Sequence, residues 1–190
     1  MKKFLYGLFL ILCLGLFTGA EFTGRWGISC DSGTNEVGFR LVASNDLNSE
    51  TDYIYCWAAT ADCSGDLRYA YIYHRAAVEE TCRIALYLDD GDNTPDADDT
   101  IVGTETGDVV ANNTGWYTDS SDLTGTVTTG TDYWICVSPQ GANFRMYYDT
   151  PGIPRWYNNC VGCGSNMPDT LPDGFANNQN VSSGIYIEVE

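Results

Sequence analysis

The densest group of chemically active side chains in this 190-residue sequence is the acidic segment L-D-D-G-D-N-T-P-D-A-D-D. Its carboxylates are Asp89, Asp90, Asp92, Asp96, Asp98 and Asp99. Carboxylates packed this closely repel one another unless water or a hard cation separates them, and calcium is a cation that takes about six to eight oxygen ligands in flexible geometry. The segment therefore predicts either a calcium site or a solvated acidic turn. For the calcium site, the expected ligands are Asp90, Asp92, Asp96 and Asp98.

The spacing of these aspartates departs from the EF-hand pattern. When Asp90 is counted as the first ligand, Pro95 stands where that loop needs Gly, and Ile101 stands where the bidentate Glu belongs. The sequence therefore leaves both interpretations of the segment open.

Aromatic residues with a polar edge form a second group, because the chain has 13 Tyr and 5 Trp but only 7 Phe. Tyr69, Tyr71 and Tyr73 alternate along one predicted strand, about 6.6 Å apart on one face, and could stack successive sugar rings. The pattern alone is ambiguous, because the opposite face of that strand could be the exposed one and the tyrosines could belong to the core. Further stacking candidates in or beside loops are Trp116, Trp156 and Tyr157.

Cysteines are the third group, and in an exported protein they are expected to form disulfides. Cys56 and Cys63 flank a polar, Gly-containing segment and could close a local loop. The motif C-V-G-C lies among Asn and Gly residues typical of a loop, which favours a structural disulfide over a redox or metal site. Seven of the eight cysteines remain once the export signal expected over residues 1–20, with its Cys13, is removed. This odd number leaves at least one thiol unpaired or bonded to another chain. The seven candidates are Cys30, Cys56, Cys63, Cys82, Cys136, Cys160 and Cys163.

The beginning of the chain has the order of a cleavable export signal: two lysines, an apolar run from Phe4 to Phe17, and small residues up to Ala20. An apolar run of about 14 residues is too short to span a bilayer as a helix. We therefore predict a signal peptide over residues 1–20, a single domain over residues 21–190, and a secreted or cell-surface protein without a membrane anchor. The formal net charge of −17 disfavours nucleic acid as a partner.

The elements that must position these groups are short strands separated by Gly, Asn, Asp, Ser and Pro, with no helical period. In the last predicted strand, Ile185, Ile187 and Val189 face one way and Tyr186 and Glu188 the other, as in a sheet with one wet side. This pattern predicts an all-β, antiparallel two-sheet β-sandwich, a jelly roll, stabilised by disulfides. The Pro-, Gly- and Asn-rich residues 152–180 are expected to be a long irregular excursion. The nine predicted strands are residues 37–43, 53–57, 67–74, 82–88, 108–111, 116–118, 133–137, 144–148 and 185–189.

Several motifs resemble a jelly-roll module that recurs in secreted bacterial and phage-associated proteins and is similar to carbohydrate-binding modules. They are G-D-L-R-Y-A-Y-I-Y at 65–73, C-R-I-A-L-Y-L-D-D-G at 82–91, G-W-Y-T at 115–118, G-T-D-Y-W-I-C-V at 130–137 and L-P-D-G-F at 171–175. The resemblance implies an accessory binding or adhesive role and supplies no catalytic residues. It also implies that the side of Ala70 and Ile72 is buried, which would expose the tyrosine row.

An enzyme is not expected, because His74 is the only histidine and its place in a strand indicates a surface or pocket-edge side chain. We predict a noncatalytic carbohydrate-binding or adhesive module for a glycan or cell-surface polysaccharide, and its one candidate cofactor is the calcium that the acidic segment leaves open. The alternative is a self-associating subunit of an extracellular filament or coat. For that alternative, the segment Glu21 to Glu36 would pair with a neighbouring subunit's edge, and Cys30 would lie near the contact between subunits.

Overall fold

A computed structural model describes residues 35–42, 44–48, 51–75 and 79–190. The predicted signal peptide and Cys30 lie outside these residues. The described chain forms strands and turns, without a helix. The thirteen strands are β1 (Asn35–Phe39), β2 (Asn45–Asn48), β3 (Tyr53–Thr60), β4 (Gly65–Arg75), β5 (Glu80–Leu88), β6 (Thr100–Ile101), β7 (Val109–Ala111), β8 (Gly115–Thr118), β9 (Thr126–Val127), β10 (Asp132–Pro139), β11 (Arg145–Asn159), β12 (Ala176–Ser183) and β13 (Ile185–Val189).

The strands form two antiparallel sheets. The first sheet has the order β1-β13-β4, and along the other edge of β4 the short strand β9 pairs with its first residues and β8 with its last ones. The second sheet has the order β12-β11-β3-β10-β5, with β6 and β7 beside β5. The long strand β11 joins the two, because its first residues pair with the end of β4 and with β2, and its last residues pair with β3.

The main core lies between the two sheets, where alternate residues of each strand point inward. The first sheet contributes Ala70, Ile72 and Ile187, and the second contributes Trp57 and Ile135, all of them buried. This confirms the predicted two-sheet β-sandwich. The jelly-roll connection of its strands stays a prediction.

A smaller core covers the outer side of the second sheet. Ile54 and Trp134 point away from the main core and are buried by Met167 and Leu171, which belong to the covering segment, residues 160–175. Hydrogen bonds fasten this segment to the sheet, including one of 2.8 Å from the hydroxyl of Tyr87 to the carbonyl oxygen of Pro168. The second sheet is therefore apolar on both faces, whereas the first has one face turned to solvent.

Two disulfides are present among the described residues. One joins Cys56 in β3 to Cys136 in β10, which are opposite one another in the register with Cα atoms 4.2 Å apart. The other joins Cys160 to Cys163 at the start of the covering segment, as the C-V-G-C motif predicts. The local Cys56–Cys63 loop is wrong, because Cys56 lies on the outer side of the second sheet, opposite Cys136, whereas Cys63 belongs to the main core.

Among the cysteines that the structure describes, Cys63 and Cys82 have free thiols, and both are buried. Burial raises the pKa of the Cys82 thiol, so it stays protonated and packs as a small apolar side chain. Disulfides are typical of an oxidising compartment outside the cytosol.

Each of the nine predicted strands coincides with a strand of the fold, but their bounds and the expected excursion need correction. β1 ends at Phe39, short of the predicted end of the first strand. Much of residues 152–180 is regular, because β11 continues to Asn159 and β12 begins at Ala176. Polar residues make up most of β12, and its pairing with β11 rests on backbone hydrogen bonds that composition does not reveal.

Candidate functional site

The tyrosine row of β4 lies on the outer, solvent-facing side of the first sheet. Ala70 and Ile72 are buried in the main core, while Tyr69, Tyr71 and Tyr73 are half-buried on the opposite side. The sequence left the direction of this row open, and the structure turns it outward.

A bulge at the start of the row brings a cation beside it. Leu67 and Ala70 both belong to the core, because the register between β4 and β13 shifts by one residue here. Arg68 and Tyr69 consequently both point away from the core, and the guanidinium of Arg68 lies 5.8 Å from the centre of the Tyr69 ring. Strict alternation would have turned Arg68 to the buried side.

Rings from neighbouring strands enlarge the row into a continuous aromatic face. Tyr186 of β13 stacks on Tyr71 with ring centres 4.8 Å apart and planes at 11°. Trp116 of β8 packs edge-on against both Tyr186 and Tyr73, at 5.1 and 5.3 Å. Tyr147 of β11 contacts Tyr73 at 5.3 Å. We call these five residues, Tyr71, Tyr73, Trp116, Tyr147 and Tyr186, the aromatic face.

Tyr186 is the buried base of the aromatic face, with 3% of its surface exposed, and the other four rings are half-buried. Gly184, between β12 and β13, makes room for them. A Cβ atom on Gly184 would overlap the carbonyl oxygen of Leu41 and lie 2.7 Å from the Cβ of Tyr73 and 3.3 Å from the ring of Trp116. Trp116 can therefore take this position because residue 184 is a glycine and has no side chain.

Charged groups surround the aromatic face. The guanidinium of Arg40 lies 4.7 Å from the centre of the Tyr186 ring and donates a 2.8 Å hydrogen bond to its hydroxyl. Arg40 also pairs with Glu36 at 3.3 Å. Burial raises the pKa of the Glu36 carboxyl, with the nearby Glu188 adding to the rise and Arg40 opposing it.

The tyrosine hydroxyls are oriented by carboxylates. Tyr71 donates to Glu188 across 3.5 Å. A hydrogen bond to Asp122 raises the pKa of Tyr69, and Arg68 beside it pairs with Glu190 at 2.9 Å. The face thus combines apolar rings with fixed hydrogen-bonding groups, the composition typical of ligand-binding sites.

The other two predicted ligand residues lie elsewhere. Trp156 packs edge-on against Trp134, with centroids 6.4 Å apart, on the outer side of the second sheet. Tyr157 points the opposite way and packs against the main core beside Tyr53. The structure therefore brings together Tyr69, Tyr71, Tyr73 and Trp116 and separates Trp156 and Tyr157 from them.

The acidic segment forms a loop after β5 that is organised around Asp99. This residue is fully buried, and its two carboxylate oxygens accept hydrogen bonds of 3.0 Å from the backbone N–H groups of Asp90 and Asp96. These two hydrogen bonds act to lower the pKa of Asp99. Burial outweighs them and raises the pKa to about 6. Asp99 therefore determines the shape of the loop, a role the sequence did not predict for it.

The remaining carboxylates form two overlapping groups whose oxygens lie within 4.8 Å of one another. Asp90, Asp96 and Asp98 form one group, and Asp90 with Asp92 and Asp89 forms the other. The four predicted metal ligands are thus divided between two groups that share Asp90. The hard oxygen donors suit a cation such as calcium.

The expected surface position of His74 is wrong, because this side chain is fully buried, against the ring of Phe144. Burial lowers its pKa to about 4, so the imidazole is neutral at pH 7. Its Nε2 accepts a 3.0 Å hydrogen bond from the backbone N–H of Arg145, which leaves the proton on Nδ1. His74 consequently contributes to packing between β4 and β11 and is shielded from any solvent-borne substrate.

Sequence reasoning missed Tyr147, Tyr186, Arg40 and Glu188 as parts of the site. The sequence could have indicated Tyr186 and Glu188, because they alternate with the apolar residues of the last strand and so lie on the side of the tyrosine row. No pattern in the sequence indicated Tyr147 and Arg40, because only the pairing of distant strands brings Tyr147 beside β4 and Arg40 beside Tyr186.

Neither a scan against protein-family models nor a search of curated proteins finds a match to this chain. Among the residues described by the structure, no helix has the length and apolar character needed to cross a membrane. The site's own geometry is therefore the basis for a functional interpretation.

Proposed function

We propose that this protein is a secreted or cell-surface, noncatalytic carbohydrate-binding or adhesive module, of the jelly-roll class that its motifs resemble. The observation that carries the proposal is the aromatic face, which gathers five rings from four strands on the solvent side of a rigid sheet. Rings with polar edges can stack on the apolar faces of sugars while their hydroxyls bond to sugar hydroxyls.

The exposure and the spacing of the rings in the aromatic face support this proposal. A stable fold does not require partly exposed rings on a wet sheet face, and an apolar patch of this kind on a soluble protein commonly marks a binding surface. Neighbouring tyrosines of β4 repeat at about 6.6 Å, so a chain of sugars lying along the strand would meet ring after ring. The rigid sheet also keeps the entropy lost on binding small.

The test is retention on insoluble polysaccharides, using Trp116→Ala and Trp156→Ala as a matched pair. Both variants remove the same ring, but only Trp116 belongs to the aromatic face. We expect Trp116→Ala to lose retention and Trp156→Ala to keep it, with the melting temperature of each variant recorded. Equal retention by both variants would contradict the proposal.

We also propose that the acidic loop holds a structural calcium ion. An ion bound only by the folded state stabilises it by mass action, so added calcium should raise the melting temperature and a chelator should reverse the rise. Asp90→Asn should abolish the rise, because Asp90 belongs to both carboxylate groups. Glu79→Gln, an exposed carboxylate just before β5, is the control and should leave it intact. A melt that does not change with calcium would leave a solvated acidic turn.

Self-association into a filament is the second candidate. Within the described residues, β1 pairs with β13 on one side only, so its other edge could receive a strand from a neighbouring subunit. Electron microscopy of the native material would show regular polymers in this case, and dispersed particles would contradict it.

A further inference from the structure

Two carboxylates face one another on the outer side of the first sheet, beside the aromatic face. Glu36 of β1 and Glu188 of β13 are directly opposite in the register, and their chain neighbours Val37 and Ile187 point into the core. Like charges in this arrangement destabilise a strand pair unless a cation lies near them.

The chain supplies one cation for these two carboxylates. Arg40 pairs with Glu36 at 3.3 Å. Within the described residues Glu188 contacts the hydroxyl of Tyr71 at 3.5 Å, and no arginine pairs with it. Arg40 acts electrostatically on both carboxylates, so the pair keeps one net negative charge, and Glu188 is the member without an ion pair of its own among the described residues.

The aromatic face already binds a cation of its own chain. The guanidinium of Arg40 lies over the Tyr186 ring at 4.7 Å, in the geometry of a cation–π contact. Gly38 is the register partner of Tyr186 on β1, and its lack of a side chain leaves the space over that ring to Arg40. Rings and carboxylates together thus form a surface suited to positively charged groups.

We propose that the aromatic face selects glycans carrying free amino groups, with Glu188 pairing with the sugar ammonium and Tyr71 and Trp116 stacking on its ring. This inference rests on the glycan-binding function proposed above. Sugars with carboxylate or sulfate groups are disfavoured, because the carboxylates of Glu36, Glu188 and the neighbouring Asp122 repel them. The net charge of the whole chain, −17, acts in the same direction.

The test compares a glucosamine hexamer with an N-acetylglucosamine hexamer by titration calorimetry, at a pH where the free amine is protonated and at low ionic strength. We expect the wild-type protein to bind the glucosamine hexamer about fivefold more tightly, the effect of about 1 kcal/mol from one partly exposed ion pair. Salt at about 0.5 M should remove the preference, because it screens the charge.

Glu188→Gln should weaken binding of the glucosamine hexamer about fivefold and leave the N-acetylated hexamer unchanged, and Glu79→Gln should change neither. Equal affinity of the wild-type protein for both hexamers would overturn the charge selection and leave the proposed function standing. A Glu188→Gln substitution that weakens the binding of both hexamers equally would have the same meaning. Failure to bind either hexamer or any member of a neutral glycan panel would instead overturn the glycan-binding function.

Discussion

His74 shows how burial changes the chemistry of a single side chain. An imidazole with an ordinary pKa near 6.5 would titrate close to neutral pH, but its pKa in this fold is about 4 because water is excluded around it. The unfolded chain therefore takes up a proton between about pH 6.5 and pH 4, whereas the folded chain does not.

We predict that the contribution of His74 to stability is complete above pH 6.5 and is lost as the pH falls toward 4, by about 3 kcal/mol over that interval. Urea unfolding of the wild-type protein and of His74→Phe at pH 7 and pH 4.5 measures the difference. The raised pKa of Asp99 acts in the opposite direction, so only the comparison of the two proteins at each pH is informative. A pH dependence identical in both proteins would contradict the account.

Gly184 is a second residue whose role follows from contacts. A methyl group there would overlap the backbone of Leu41 and crowd Tyr73 and Trp116, so Gly184→Ala should destabilise the fold by about 1–3 kcal/mol and alter tryptophan fluorescence. Gly115→Ala is the matched control, since its Cβ would meet only the Tyr117 ring, at 3.9 Å. Equal effects of the two substitutions would show that the aromatic face does not depend on Gly184.

The two disulfides among the described residues close chain loops of very different length. Cys56 and Cys136 lie 80 residues apart in sequence, whereas Cys160 and Cys163 are separated by three. The first bond therefore restricts the unfolded chain much more than the second.

We predict that Cys56→Ala with Cys136→Ala lowers the free energy of unfolding by about 4 kcal/mol, and that Cys160→Ala with Cys163→Ala lowers it by clearly less. Denaturant unfolding of both double variants under nonreducing conditions measures this. A greater loss from the second pair would mean that the covering segment contributes more to stability than the link between β3 and β10.

Local patterns in the sequence predicted the strands whose two faces differ. Ile185, Ile187 and Val189 point to the core as their alternation required, because that strand has one buried and one wet face. β12 was not predicted, because both of its faces consist mostly of polar residues. The outward position of Arg68 was not predicted either, because it depends on a bulge in the pairing of β4 with β13. Features fixed by pairing between distant segments leave little trace in local sequence.

In the whole molecule, the two faces of the sandwich differ in a way that composition could not show. The outer side of the second sheet is buried under residues 160–175, while the outer side of the first sheet keeps its rings in contact with solvent. The predicted ligand residues could be placed on strands from the sequence, but their division between the two sides follows from the order of the strands. One side is thus closed by residues 160–175, and the other is left open by the part of the chain that the structure describes.

We propose above all that the aromatic face binds glycans. Titration calorimetry tests this most directly, with a soluble oligosaccharide of a polysaccharide on which the protein is retained. Tyr73 lies in the middle of the face, in contact with both Trp116 and Tyr147. We predict that Tyr73→Ala weakens binding roughly tenfold, as expected for the loss of one stacking ring, and leaves cooperative unfolding intact. Unchanged affinity in a folded Tyr73→Ala protein would contradict the claim.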